Sequence, residues 1–251
     1  MPYFVFDHIN IGPLRFYTWG FFVGAGFAAG YFLTLYRAKK NNIAPEKIAY
    51  LALAIFLGAV LGSRLLYFLQ TPQDFFRDVS ALWHLNQGGA MFYGGLLGAL
   101  FFGWLYLKIA KENFWKMSDL VAPAAALGTG IGRIGCALIN DHAGALTTLP
   151  WAIQWPDGFL RHPVAIYLSL FGFLLFAFLL WYEKKARFSG QLFLLFLLVS
   201  SAGRFFLDFT RESQGYLADK YFWQLSASQW ISILIFFAAL IIWQRHKTSV
   251  K

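Results

Sequence analysis

Apolar runs of about twenty residues, separated by shorter polar stretches, recur along the whole chain. A helix of this length crosses the hydrocarbon core of a bilayer, and the alternation with polar loops is typical of proteins with several spans. The pattern predicts seven transmembrane helices, near residues 16–36, 48–69, 90–109, 119–138, 162–182, 191–208 and 225–243. We therefore expect an all-α, polytopic integral membrane protein whose residues 1–251 form a single domain.

The composition agrees with this pattern. Hydrophobic residues make up 59% of the chain and charged residues 13%, against averages of about 45–50% and 25% in soluble domains. Residues 72–87 are too polar to span a membrane. Their apolar side chains favour an amphipathic helix in the membrane interface, as an ordinary connector rather than a gate for lipid.

Basic residues are unevenly divided between the two alternating sets of loops. Of the 21 Lys and Arg residues, 13 fall in one set, 5 in the other and 3 within predicted spans. Cytoplasmic loops carry the excess of positive charge, so the N-terminus is expected outside and the C-terminus in the cytoplasm. These clusters also account for the net charge of +9, which therefore requires no nucleic-acid partner.

Arg133 lies within the apolar run GTGIGRIG, where glycines surround it. A charge inside a span costs several kcal/mol unless something pairs with it, which makes this Arg a candidate for function. The glycines remove side chains from around it and allow a ligand or another backbone to approach. A structural Arg, paired with a carboxylate on a neighbouring helix, is the alternative interpretation.

Further polar residues of the predicted spans fall in the same outer layer as Arg133. With the predicted orientation, Arg64 lies roughly 24 Å along the second span at 1.5 Å per residue, and Tyr93 lies at the outer mouth of the third. Arg204 and Asp208 lie at the outer end of the sixth span. The neighbouring loops contribute Asp141, His142, Arg161, His162 and Arg211.

The charge of this layer favours an anionic ligand. Arg204, Asp208 and Arg211 follow at i, i+4 and i+7, which places them on one helix face. In the whole layer the Arg residues outnumber the two or three carboxylates, and Arg binds phosphate in a bidentate manner. Since the layer lies at the level of the outer headgroups, we expect a membrane protein that handles an anionic phospholipid from outside.

Several sequence pieces fall on the predicted spans and loops in the order of a known family. They are IGPLRFYTWG, GSRLLY, GGAMFYGGLLG, SDLVAPAAALGTGIGRIG, LPWAI, RHPVAIY and GRFFLDFTRES, with SASQWIS before the last span. Through these pieces the chain resembles the prolipoprotein diacylglyceryl transferases over nearly its whole length.

The resemblance implies an enzyme of the bacterial inner membrane that uses no metal or other cofactor. Members of this family transfer the diacylglyceryl group of phosphatidylglycerol to the lipobox cysteine of a preprolipoprotein. A thioether forms and glycerol phosphate leaves. The implied partners are phosphatidylglycerol, signal peptides with a lipobox cysteine, and the lipid bilayer, with no nucleic acid.

The resemblance also assigns roles to particular residues. Arg133 and Arg204 become the leading catalytic residues at the phosphate and the leaving group, Asp208 orients Arg204, and Tyr93 occupies the position of the usual base. The residues expected to bind phosphatidylglycerol are Arg133, Arg64, Asn140, Asp141, Gly144 and Arg211.

The chain departs from the family pattern at several of these positions. Tyr93 stands where the family commonly has His, and a phenol with a pKa of about 10 is a poor base at neutral pH. Asp141 and Asp208 stand where Glu is usual, Cys136 where Asn is frequent, and Leu168 where a carboxylate is common. Two interpretations remain open. The chain is an active transferase, or it is a non-catalytic or altered paralogue that binds an anionic lipid or a lipoprotein signal peptide.

Other chemistries are disfavoured by the sequence. Cys136 in its apolar surroundings is expected to behave as a small hydrophobic residue rather than as a nucleophile. His142 and His162 lack the companion ligands of a metal site, so no metal is expected. A transport pathway would need polar residues in both halves of the membrane, whereas the inner halves of the predicted spans are apolar.

Overall fold

The computed structural model describes residues 1–70, 92–213 and 221–249. Seven long helices lie in this part of the chain, and each predicted span overlaps one of them. They are α1 (Thr18–Lys40), α2 (Pro45–Gln70), α3 (Phe92–Ile109), α4 (Phe114–Ile139), α5 (Val164–Glu183), α6 (Gln191–Leu207) and α7 (Ala227–Ser249).

Six of these helices, all except α3, are long and apolar enough to cross a membrane. Within α3 the segment Gly94–Ile109 is apolar but shorter. The described part of the chain is therefore mostly helical and has the character of a multi-pass membrane protein. The predicted amphipathic connector at residues 72–87 lies outside the described residues.

Three short antiparallel hairpins accompany the helices, and the sequence pattern did not predict them. Strands β1 (His8–Ile11) and β2 (Leu14–Tyr17) precede α1, and β3 (Ile153–Gln154) pairs with β4 (Leu160–Arg161) between α4 and α5. The third hairpin, before α7, pairs β5 (Tyr221–Phe222) with β6 (Leu225–Ser226).

The chain divides into two compact units, one formed by residues 1–34 and 118–251 and the other by residues 35–117. In the second unit α2 packs against α3 through glycines. A methyl group on Gly98 would overlap the carbonyl oxygen of Gly58, and one on Gly62 would overlap that of Gly94. Such small residues let two membrane helices approach backbone to backbone, which favours this pairing.

In the first unit, glycines likewise allow α4 to pack closely against α5. A methyl group on Gly172 would lie 2.7 Å from the backbone nitrogen of Gly130, and Ser169 Oγ donates a hydrogen bond to the Gly130 carbonyl at 2.8 Å. The Asp119 carboxylate near the start of α4 accepts hydrogen bonds from the backbone N–H groups of Gly190 and Phe193. These contacts satisfy donors at the beginning of α6, where no intrahelical partner exists, and so fix α6 relative to α4.

The ends of α4 and α6 have specific local causes. Asn140 has a φ of 47°, a left-handed conformation that Asn tolerates, and α4 ends just before it at Ile139. Helix α6 ends at Leu207 and tightens into a 3₁₀ turn over Asp208–Thr210. The last turns of these two helices and the residues beyond them contribute to the candidate site.

Candidate active site

A narrow cleft opens between the ends of α4 and α6 and the beginning of α5. Arg133 reaches it from α4, Arg204 from α6 and Arg211 from the segment after the 3₁₀ turn. The remaining lining residues are Asp141, His142, Val164, Ala165 and Leu168. The structure thus brings together three of the Arg residues that the sequence placed in one layer.

Arg133 is not neutralised by a carboxylate partner among the residues that the structure describes. Its Nη1 lies 3.8 Å from Cys136 Sγ, a weak contact to a buried thiol one turn further along α4. The described structure does not contain the neighbouring-helix ion pair that the structural interpretation of Arg133 requires. Its guanidinium instead lines the cleft, where an anion can reach it.

Asp208 holds the other two cations. Its Oδ1 lies 3.1 Å from Arg204 Nη2 and 3.5 Å from Arg211 Nη1, although the residue itself is only 1% exposed. The predicted helix face is interrupted because the helix ends at Leu207 and the turn continues as 3₁₀. The spacing nevertheless leaves the carboxylate between the two Arg side chains, so it can orient both.

Two serines near the start of α7 also contact the Asp208 carboxylate. Ser228 Oγ donates a hydrogen bond to Asp208 Oδ2 at 2.5 Å, and Ser226 Oγ donates to the same oxygen. Arg204 Nη2 donates to Ser228 Oγ at 3.3 Å. These serines were not predicted from the sequence, because their partner lies 18 and 20 residues away in the chain and no local spacing connects them.

The loop after α4 places a carboxylate beside an imidazole. Asp141 Oδ1 lies 2.8 Å from His142 Nδ1, and Asn140 Nδ2 donates to the Phe4 carbonyl at 2.6 Å. Burial acts to raise the pKa of the Asp141 carboxyl, but the hydrogen bond and charge of His142, with help from Arg133, hold that pKa below its usual value. Asp141 is therefore a carboxylate at neutral pH.

Gly144 belongs to an extended segment that joins this loop to the two neighbouring chain segments. The backbone N–H of Ala145 donates to the Thr210 carbonyl at 2.8 Å, and that of His162 donates to the Ala145 carbonyl at 3.0 Å. A methyl group on Gly144 would overlap the carbonyl oxygen of His162. Gly144 and Arg211 form a bridge in this arrangement, so the glycine is needed to bring Arg211 to the cleft.

Arg161 has a different environment from the other Arg residues of the predicted layer. It is 7% exposed, and its guanidinium pairs with Asp157 Oδ2 at 2.8 Å and with the Glu212 carboxylate. It also donates to the Gly144 carbonyl at 3.2 Å. Because two carboxylates neutralise it, Arg161 stabilises the loop and is not part of the set of cations that faces the cleft.

The remaining predicted residues are placed as follows. Arg64 is buried on α2 in the second unit, and Tyr93 lies on α3, with a side chain outside the described set. Leu168, at the position where the resemblance implies a carboxylate, forms part of the apolar wall of the cleft. Among the described residues, no group of three His, Cys, Asp or Glu side chains converges in the manner of a metal site.

Comparison with known proteins shows the family of this chain. The model of the family described as prolipoprotein diacylglyceryl transferase matches residues 7–245. The chain belongs to the prolipoprotein diacylglyceryl transferase family. The match includes both compact units and every residue of the cleft.

Individual members of the transferase family are similar to this chain over most of its length. A phosphatidylglycerol–prolipoprotein diacylglyceryl transferase of Bordetella bronchiseptica is 36% identical over 90% of this chain and 88% of its own. The proteins of the same name from Nitratidesulfovibrio vulgaris and Clostridium tetani are 37% and 33% identical, over 84% and 91% of this chain and 83% and 92% of their own.

Proposed function

We propose that this chain transfers the diacylglyceryl group of phosphatidylglycerol to the lipobox cysteine of preprolipoproteins. Its family is named for diacylglyceryl transfer to prolipoproteins, and the names of its relatives specify phosphatidylglycerol as the donor. The observation that carries the proposal is the cleft in which Arg133, Arg204 and Arg211 converge. Three guanidinium groups on one small cleft are suited to the phosphate of a lipid headgroup.

The reaction needs this positive charge at a defined place. The cysteine sulfur, as thiolate, attacks the glyceryl carbon that carries the phosphate ester, so a C–S bond forms and the C–O bond breaks. The electron pair of the broken bond moves onto the phosphate oxygen of the departing glycerol phosphate. Fixed cations aimed at that oxygen stabilise the transition state more than the ground state, which accelerates the chemical step.

The residues around the cleft then take distinct roles. Arg133 and Arg204 are the catalytic residues that bind the phosphate and its developing charge, and Arg211 adds a third contact. Asp208 is a positioning residue, since it is buried behind Arg204 and Arg211 and holds both. The loop that begins at Asn140 supports phosphatidylglycerol binding through Asn140, Asp141 and Gly144.

Arg64 and Tyr93 are the remaining residues of the proposal. By resemblance, Arg64 contributes to phosphatidylglycerol binding, and Tyr93 positions the substrate or hydrogen-bonds it at the location of the family's usual base. We propose that residues 1–251 act as one functional domain, a view that the continuous family match over residues 7–245 supports.

The proposal includes a membrane topology. Seven helices cross the bacterial inner membrane, with the N-terminus outside and the C-terminus in the cytoplasm. The ends of α1 and α3 carry basic residues in their last turns, which supports a cytoplasmic location for these ends. In this orientation Arg133 and Arg204 lie in the outer half of the membrane, where the headgroup of an outer-leaflet lipid and the signal peptide meet.

The direct test is transfer of labelled diacylglycerol from phosphatidylglycerol to a lipobox peptide by the purified protein. We expect Arg133→Lys to lose most of this activity while the protein still inserts and folds, because an ammonium group cannot replace a planar fork. Arg15→Lys, in the exposed hairpin before α1, is the matched control and keeps full activity. Full activity of Arg133→Lys with a reduced folded yield of Arg133→Ala would instead make Arg133 structural.

The non-catalytic paralogue is not favoured, because the matching family and the similar relatives are named as transferases. A non-catalytic paralogue would bind phosphatidylglycerol and peptide without any transfer, and this result would distinguish it from the transferase. The Bordetella relative, assayed in the same lipid and detergent, controls for the quality of the substrates.

A further inference from the structure

His142 has a carboxylate partner in the loop after α4. Its Nδ1 lies 2.8 Å from Asp141 Oδ1, and the side chain of His142 is 42% exposed while that of Asp141 is 22% exposed. A carboxylate at this distance accepts the Nδ1–H bond and so leaves the lone pair on Nε2. This is the tautomer that a base requires, held by a group that is ionised at neutral pH.

The imidazole lies where two clefts meet. One is the cleft that Arg133, Arg204 and Arg211 line. The other is lined by His162 and Trp155, among others. His142 lines both, together with Val164 and Ala165. From this position His142 can contact a second substrate that enters through the cleft lined by His162 and Trp155 and approaches the cleft lined by the three Arg residues.

The charged and titratable groups around the two clefts come from several elements. They are Arg133 of α4, Asp141 of the same loop, Arg204 of α6, Arg211 beyond the 3₁₀ turn, and His162 before α5. The first residues of α5 present only the apolar side chains of Val164, Ala165 and Leu168. Cations stabilise a nearby thiolate and a carboxylate stabilises a nearby imidazolium, and both kinds of group line the same cleft as His142.

We propose that His142, oriented by Asp141, is the base that removes the proton from the lipobox thiol in this protein; the inference rests on the proposed transferase function. The thiol proton moves to Nε2 of His142 and gives an imidazolium beside the Asp141 carboxylate. The sulfur, now a thiolate, forms the C–S bond as the C–O bond to phosphate breaks. The imidazolium then returns its proton to water or to the departing glycerol phosphate, so the cycle balances.

Other groups of the described chain are less suited to this step. Cys136 is buried beside Arg133. His162 has its Nδ1 3.2 Å from the Tyr167 hydroxyl and no carboxylate partner within the described residues. His8 faces Arg15 in the hairpin before α1, outside both clefts. The position of the usual family base is a tyrosine in this chain, and Asp141–His142 supplies the function that Tyr93 lacks at neutral pH.

The test compares His142→Gln with the wild-type protein across pH 6–9, using label transfer from phosphatidylglycerol to a lipobox peptide in detergent or proteoliposomes. General-base help is worth about 10²–10⁴ in rate, so at pH 7 we expect kcat to fall by about a hundredfold or more while KM for phosphatidylglycerol stays nearly unchanged. The loss should shrink to less than about tenfold at pH 9, because a thiol with an ordinary pKa of about 8.5 ionises there without a base.

Three further variants separate a catalytic role of His142 from a structural one. His142→Ala should regain part of its rate at pH 7 when imidazole is added, which a purely structural role would not produce. His8→Gln is the matched control, since it changes a half-buried histidine outside both clefts, and it should behave as wild type. Asp141→Ala should lower kcat and move the pH profile upward in the same direction as His142→Gln.

Three results would overturn the inference. One is a loss in His142→Gln that is equal at pH 6.5 and pH 9, and another is wild-type turnover of this variant at pH 7. The third is a pH-dependent loss in His162→Gln instead. In all three the wild-type protein remains active, so the proposed function stands. An inactive wild-type protein, in an assay where the Bordetella relative is active, would overturn both the function and the base.

Discussion

Removal of the Asp208 carboxylate is the perturbation that tests the site most directly. This group is 1% exposed and lies 3.1 Å from Arg204 and 3.5 Å from Arg211, with hydrogen bonds from Ser226 and Ser228. Asp208→Ala leaves two guanidinium groups and two hydroxyls without their shared acceptor. Asp208→Asn has a similar size and keeps one acceptor oxygen, but it replaces the other oxygen by an NH2 donor and removes the charge.

The expected magnitude follows from the burial of the partners. Removing one partner of a buried ion pair costs about 3–5 kcal/mol. Because the side chains of Arg204 and Arg211 are 23% and 10% exposed, water relieves part of that cost, and we expect a value near the lower limit, about 3 kcal/mol. At about 2–4 °C per kcal/mol for a chain of this size, the Tm of Asp208→Ala should fall by roughly 6–12 °C.

The assay measures the Tm of the detergent-solubilised protein together with its transfer rate. Asp208→Asn should retain a higher Tm and a higher rate than Asp208→Ala, because an amide still positions the serines and part of the Arg204 shell. Glu112→Ala is the matched control, since its ion pair with Lys47 is exposed and worth less than about 1 kcal/mol. An Asp208→Ala protein with wild-type Tm and turnover would refute the assignment of Asp208 as the residue that positions Arg204.

Three further predictions follow from the sequence and the structure. Reporter fusions at Asn42 should lie in the cytoplasm and fusions at Asp141 outside, and a cytoplasmic signal from Asp141 would separate the cleft from the outer leaflet. Tyr93→Phe should keep much of the transfer activity, and loss of all activity in a folded variant would show that the hydroxyl takes part in the chemistry. Arg161 lowers the pKa of Asp157, so the stability advantage of wild type over Asp157→Asn should be present at pH 7 and decline as pH falls below about 4, as thermal melts between pH 7 and pH 3 can measure.

The helical part of the fold was readable from the sequence because its signal is long. A run of about twenty apolar residues is too long to be mistaken for a strand or a loop. Each predicted span overlaps an observed helix. The hairpins were not predicted, since strands of two to four residues carry too few positions to show a period of two. One of them, Ile153–Arg161, determines where Arg161 lies relative to the cleft.

The candidate site was predictable only in its residue types. The spacing of Arg204 and Asp208 indicated a shared face, and the structure keeps them in contact although the helix ends at Leu207. Arg161 and Arg211 looked equivalent in the sequence, yet two carboxylates neutralise the first while the second lines the cleft. That difference depends on Glu212, whose distance of 51 residues from Arg161 along the chain conceals the pair.

A histidine base suits this reaction because its charge changes during the step, whereas the charges of the Arg and Asp residues of the cleft stay constant. Arg133, Arg204 and Arg211 exceed Asp141 and Asp208 by one positive charge, which matches the single negative charge of a phosphodiester. As glycerol phosphate departs it approaches a second negative charge, since the second pKa of a phosphate monoester is about 6. In the same step His142 becomes an imidazolium and adds a second excess positive charge to the cleft. The positive charge of the cleft therefore rises as negative charge develops on the phosphate. The cleft then stabilises the transition state more than it stabilises the bound lipid.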